Sequence, residues 1–195
     1  MLFANLFSNG SFENPVIAGS QNDGQIYYAY DFTGLTDWAS FGNVVTLRNV
    51  NPYWKGTDGS QYINLQFSAS NYIEQTIATV VGGTYRIKFD LSCDNLFGQW
   101  SRDDCTLGVS LNGTTLNTFK PSTDAAQTLT WDSISLDFTA TSSSSSIRFF
   151  DAANFTNFVG PMLDNVSVEA VPEPASILAL TFGSFALLVN RTRRK

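Results

Sequence analysis

Along residues 5–170 the apolar positions recur every second residue, and no stretch carries an apolar stripe at helical spacing. The clearest run is 84–92, where Tyr85, Ile87, Phe89 and Leu91 alternate with Arg86, Lys88, Asp90 and Ser92. Successive side chains of a strand point to opposite faces, so this run predicts a strand with one face on a core and one on solvent. The same alternation puts Ile134, Leu136 and Phe138 inward over 133–139, Ile63, Leu65 and Phe67 over 61–67, and Ile73 and Ile77 over 71–79. Over 106–111, Leu107, Val109 and Leu111 lead into Asn112-Gly113, a strong hairpin signal, and out through Leu116. Further strands are predicted over 5–12, 44–49, 146–150 and 163–170, and the serine run 142–146 reads as a connection between strands. Many half-buried strands separated by Gly, Asn, Asp and Ser turns predict an all-β, antiparallel two-sheet sandwich over 1–170.

The pattern changes at 171–174. Pro172 and Pro174 stop helix and sheet alike, and the fifteen residues 175–189 carry no charge and no polar face at helical spacing. Arg191, Arg193, Arg194 and Lys195 follow almost at once. This predicts a single transmembrane helix over 175–190, extended by Asn190 and the snorkelling arginines, with a basic cytoplasmic end at 191–195. The positive-inside rule then places the sandwich across the membrane, outside the cytoplasm. Export needs a leader, and M-L-F-A-N-L-F-S-N-G has neither a basic n-region nor an apolar h-region. A leader is therefore expected upstream of Met1, from a start codon placed too late.

Composition narrows the chemistry. The chain has 195 residues, 43% apolar, with a formal charge of −6. Without 172–195 it holds 7 basic and 16 acidic residues, a charge of −9 with no basic stripe. That excludes nucleic acid, whose phosphates need a cationic footprint. The absence of histidine removes Ser/His/Asp and Cys/His catalysis and most zinc sites. Cys93 and Cys105 do not have redox or metal spacing. In an exported protein they suggest a disulfide across a loop, the other reading being two small buried thiols.

Glycoside hydrolysis needs two carboxyl groups facing each other across a sugar. Asp23, Asp31, Asp37, Asp58, Asp103, Asp104 and Asp124 lie mostly in separate predicted loops, and nothing in the sequence marks a pair facing across a cleft, so no catalytic residue is expected. Aromatic residues are the stronger signal. Trp38, Tyr53, Trp54, Phe97, Trp100 and the run Tyr27-Tyr28-Ala29-Tyr30 fall in predicted loops or at their edges. Such rings either close the core or offer flat faces to a ligand. Trp54 reads as core. Trp100, in the cysteine-bounded loop with Asp94, Asn95 and Gln99, reads as a ligand contact.

Two resemblances follow from motifs. V-P-E-P, a short apolar stretch and a basic end resemble the PEP-CTERM sorting signal of Gram-negative bacteria and cyanobacteria. The likeness implies recognition of Pro172, Glu173 and Pro174 by an exosortase-type enzyme. The domain would be held at the inner membrane before processing and end at the cell surface or in extracellular polysaccharide. An ordinary tail anchor implies the same orientation. The second likeness covers most of 5–170: N-L-F-S-N-G-S-F-E, Y-W-K-G-T-D-G-S-Q-Y-I-N-L, I-E-Q-T-I-A-T-V-V-G-G-T-Y-R-I-K-F-D-L and G-P-M-L-D-N-V-S-V. This order is similar to the choice-of-anchor exported proteins of bacteria, to related plant cell-wall proteins of unknown function, and to carbohydrate-binding modules. It implies a galactose-binding-like jelly roll, often with a structural calcium and sometimes a glycan ligand, and it brings no catalytic residues. It pairs the first and last strands, so Glu13 and Asp164 read either as a calcium clamp or as solvated turn residues. The function expected is an exported, non-enzymatic module that binds or organises extracellular polysaccharide. A purely structural surface protein comes second and a glycoside hydrolase third.

Overall fold

The computed structural model describes residues 4–17, 35–42, 44–48, 55–65, 71–93, 102–122, 129–153 and 160–172. Among them are ten strands: β1 (Ala39–Phe41), β2 (Val44–Arg48), β3 (Gln61–Leu65), β4 (Tyr72–Ala78), β5 (Thr84–Cys93), β6 (Leu107–Leu111), β7 (Thr114–Phe119), β8 (Asp132–Thr139), β9 (Ser144–Asp151) and β10 (Pro161–Ala170). They pair antiparallel into two five-stranded sheets, β1-β4-β9-β6-β7 and β2-β3-β10-β5-β8. The alternating apolar residues of both sheets meet in one buried cluster that includes Ile73, Ile87, Phe89, Leu107, Phe149 and Leu163. Phe89 and Phe149, one from each sheet, pack edge to face at 5.4 Å, which locks the layers in register.

Strand direction sorts the connections into two ends. At one end, here the loop end, chain segments 66–71, 94–106, 120–131 and 152–160 join the strands. At the other, the hairpin end, short turns at 79–83, 112–113 and 140–143 do so, while the longer connection 49–60 between β2 and β3 opens in the same direction and returns through 57–61. The Asn112-Gly113 turn has φ of 50° and 81°, the left-handed pair that a tight hairpin demands.

Several sequence expectations are corrected. Residues 5–12 do not form a strand. They are pinned beside β10 by single contacts, Leu6 N–H to Val168 O and Val166 N–H to Gly10 O, both 2.8 Å. Asn9 and Phe12 have φ of 51° and 56°, which breaks any ladder. The serine run 142–146 is not wholly a connection. β9 already starts at Ser144, and Ser145 is buried with its hydroxyl 3.0 Å from that of Thr79. Trp38 is not an exposed loop aromatic but is 5% exposed in the core, 5.0 Å from Phe7. Its indole N–H donates to Asn9 O at 3.0 Å, so the ring holds the opening segment to the core. β1 was not foreseen, because Ala39–Phe41 is too short to show a period.

Candidate functional site

The outer face of the second sheet is built from the polar alternate positions of β5, β8 and β10. Register places Ser167, Lys88 and Ser135 in one row across these strands. The next row toward the loop end holds Asp164, Asp90 and Ser133. Between these rows β10 bulges over 164–167, and Asn165 takes φ of 51° at the bulge. The extra residue turns the Asn165 side chain onto the outer face, where its amide donates to Asp90 Oδ2 at 3.0 Å. The Ser133 hydroxyl donates to Asp90 Oδ1 at 2.6 Å. Both carboxylate oxygens are thus held, and Asp90 is buried although it lies on the outer face.

These residues border a groove of about 370 Å³, lined by Lys88, Asp90, Ser133, Ser135, Asn165 and Ser167, with apolar floor from Phe89 and Ile134. The lining side chains are mostly short hydroxyls and amides. Short side chains leave the space open, and each keeps hydrogen-bonding capacity beyond its bond within the protein. On the hairpin side the groove stops at an ion-paired row, where Arg86 bonds Asp137 at 2.7 Å and Lys88 pairs with Glu169. On the loop side Trp131, two residues before Ser133, meets the Tyr62 ring edge on at 5.6 Å. Its indole N–H donates to Lys55 O at 2.7 Å. Because β10 and β5 lie between β3 and β8, this contact reaches across the outer face beyond the loop side of the groove, whose lining does not include either ring.

Glu13 and Asp164 do converge, on the segment 57–61. Glu13 Oε1 accepts the Ser60 and Gln61 N–H groups, both at 2.6 Å, and Oε2 accepts the Ser60 hydroxyl at 3.0 Å. Asp164 Oδ2 accepts the Thr57 and Asp58 N–H groups at 2.6 and 3.0 Å, and Oδ1 that of Asn165 at 2.7 Å. Gly59, with φ of 84°, lets the turn close against Glu13, since a Cβ there would stand 2.5 Å from Oε1. Burial pushes the Asp164 carboxyl up to about 6, opposed by those N–H donors. The carboxylates suit a hard cation in type, although backbone donors already use several of their lone pairs. Among the described residues no group of three or more acidic, cysteine or histidine side chains is gathered as for a metal.

At the loop end Cys93 and Cys105 form a disulfide, with Cα atoms 5.3 Å apart, tying the end of β5 to the approach to β6. Asp151, at the end of β9, is 3% exposed, and its Oδ1 accepts the Ala153 N–H at 2.9 Å. Burial pushes it up to about 7, with the nearby charge of Asp104 adding to the rise. Trp100, Asp94, Asn95 and Gln99 lie outside the described residues, as do Glu173 and Pro174 of the expected sorting motif, Trp54 and the whole segment 175–195. Pro172 is described, at the end of the domain. Among the described residues no helix is long and apolar enough to cross a membrane.

Sequence reasoning missed Ser133, Ser135, Asn165, Ser167 and Trp131. Their signal was present only in part, because Ser133, Ser135 and Ser167 stand at polar positions of predicted strands. What was not legible is that β10 and β8 flank β5.

Residues 5–169 match the family described as "Protein of unknown function (DUF642)". The chain is 27% identical over 178 residues to halomucin of Haloquadratum walsbyi, covering 91% of this chain and about 2% of halomucin's length. Among solved structures, TmCBM61 in complex with β-1,4-galactotriose superposes with a TM-score of 0.52 at 12% identity, covering 86% of this chain and 99% of that one. A family 35 carbohydrate-binding module from Clostridium thermocellum does so with a TM-score of 0.49 at 20% identity, covering 68% and 92%. At 12% identity the likeness to TmCBM61 concerns the fold alone, an all-β sandwich of two antiparallel sheets.

Proposed function

The chain belongs to the DUF642 family, and on that premise we propose that it is an exported, non-catalytic domain that binds extracellular polysaccharide along the outer face of the second sheet. The observation that carries this reading is the groove lined by Ser133, Ser135, Ser167, Asn165 and the fixed Asp90 carboxylate. Sugars present hydroxyls that both donate and accept, and this lining supplies partners of both kinds. Trp131, two residues along the chain from the groove's Ser133, is proposed as a flanking aromatic platform, and Trp100, in the disulfide-bounded loop with Asp94, Asn95 and Gln99, as a second one. An acidic domain repels anionic polymers, so the ligand class is neutral. TmCBM61 is a fold relative bound to neutral β-1,4-galactotriose, which makes that sugar a first probe.

The same reading assigns the C-terminus to sorting. Pro172, Glu173 and Pro174 are the proposed recognition motif of an exosortase-type enzyme, and 175–190 the anchor held in the inner membrane until processing. Calcium is proposed at the turn gripped by Glu13 and Asp164, with backbone carbonyls completing a hard-oxygen set. Saturation at about 100 times Kd would add roughly 2.7 kcal/mol. EDTA is expected to lower Tm in the wild type and to do less in Glu13→Gln. A Tm that EDTA leaves unmoved would reduce the clamp to hydrogen bonds alone.

The test of function is a neutral-glycan array probed with the full chain in detergent. Retention is expected on extended neutral glycans, with loss in Trp131→Ala or Trp100→Ala. An array without retained glycan would favour the purely structural surface protein. Release of reducing ends from any glycan would instead reinstate an enzyme.

A further inference from the structure

The hairpin end carries an exposed apolar pair that the core does not explain. Val80 and Val81 form the tip between β4 and β5 and are 71% and 64% exposed. The tip is not loose. Thr79 N–H donates to Ser143 O at 3.0 Å, Val80 N–H to the Tyr85 hydroxyl at 2.8 Å, Gly82 N–H to Ala140 O at 2.8 Å and Gly83 N–H to Val80 O at 2.9 Å. These bonds hold two β-branched side chains out in solvent. They also satisfy the Thr79, Val80, Gly82 and Gly83 backbone donors, which would be costly to bring into a lipid interface unpaired.

Charge singles out the same end. The turns 79–83, 112–113 and 140–143 and the exit 171–172 contain no Asp, Glu, Lys or Arg, in a domain whose charge before 172 is −9. The nearest charges on these strands, Arg86, Asp137 and Glu169, are ion-paired a step further in, and Lys55 and Asp58 belong to the connection 49–60. The loop end, by contrast, holds Asp104, Asp132 and Asp151. The chain also leaves the domain here, because Val171 N–H donates to Thr84 O at 2.8 Å, one residue beyond the tip turn. The three residues 172–174 then lead to the apolar segment 175–189. Fully extended, three residues span about 10 Å. The headgroup layer of one leaflet is about 5–7 Å deep, from the difference between whole-bilayer and hydrocarbon thickness.

We propose that the hairpin end is a membrane-docking surface, with Val80 and Val81 entering the headgroup layer while the groove and loop end face away from the bilayer. This rests on the reading of 175–190 as a membrane anchor. The short tether brings the tip to the interface, the lack of charge removes repulsion from anionic lipid, and the two valines supply the apolar contact. A docked domain would stand upright and hold its outer sheet face clear for a polymer outside.

The test uses the full chain in vesicles of phosphatidylethanolamine and phosphatidylglycerol, spin-labelled at single introduced cysteines, since both native cysteines are paired. Val81→Cys reports the tip, Lys120→Cys the opposite end, and Phe182→Cys the anchor. Accessibility to an aqueous nickel reagent is expected to be several-fold lower at 81 than at 120, with 182 shielded. A label at 81 as open to nickel as that at 120 overturns the docking surface. A label at 182 that reports water contradicts the anchor itself, so the two failures are separable.

Discussion

The two ends of this sandwich are built from the same strands under different rules. At the hairpin end short turns close with left-handed residues at Gly82, Asn112 and Gly113, and their side chains are neutral or apolar. At the loop end the connections 94–106, 120–131 and 152–160 are long, a disulfide fastens one of them, and carboxyl groups are buried. Short turns set register and leave little freedom for chemistry. Long connections on a rigid frame can vary without harming it, which is why binding sites gather on them. In the reading proposed here the first end faces the membrane and the second faces the medium.

That contrast can be broken most severely at the disulfide. Replacing both Cys93 and Cys105 with alanine reopens a closure of sequence separation 12, expected to cost about 3 kcal/mol in the chain-entropy model. Each kcal/mol is worth about 2–4 °C of Tm at this size, so a fall of about 6–12 °C is expected in thermal melts. Amide exchange should speed up at the ends of β5 and β6 and stay slow in the 79–83 turn. Uniform loss of protection would mean that the two ends are not independent.

A second effect separates the ends by pH. The Asp151 carboxyl is raised from 3.8 to about 7 in the folded state by burial. The folded protein therefore holds this proton over a range where the unfolded chain has lost it, and stability from this group falls as pH rises from about 4 to about 7. Asp164, raised to about 6, adds a slope of the same sign over the lower part of that range. Asp151→Asn should match the wild type near pH 4 and melt a few degrees higher above pH 7, as followed by circular dichroism.

The smallest change is expected at the hairpin end. Gly82 has φ of 82°, and a Cβ there would meet nothing within 4 Å, so Gly82→Ala adds backbone strain without a clash. The cost should be about 1–2 kcal/mol, the usual penalty for an L-residue in that region, with sugar binding unchanged.

Much of the frame was legible in the chain because alternation reports which side chains share a face. It placed β5, β8 and the Asn112-Gly113 hairpin nearly to the residue. It says nothing about which strands are neighbours, so the pairing of β10 with β5, and with it the groove, was hidden. The opening segment looked like a strand because Phe7 and Phe12 are buried, yet two left-handed residues deliver them to the core without a ladder. Trp38 looked like a loop aromatic because its burial depends on Phe7, Phe12 and Phe149, all distant in sequence. Glu13 and Asp164 were found by motif, and their convergence on 57–61 could not have been read from spacing.

The central claim is that the outer face of the second sheet binds a neutral glycan, and filling the groove tests it most directly. Ser135→Leu puts a larger side chain into the lining at an exposed position, where folding should be indifferent. Isothermal titration of wild-type full chain and Ser135→Leu with β-1,4-galactotriose, or with a longer neutral glycan retained on the array, is to be run at low and high salt. The wild type should bind equally at both, because screening has no ion pair to weaken, and the variant should lose binding while keeping its Tm. Binding unchanged in the variant, or binding that disappears at high salt, would contradict the account.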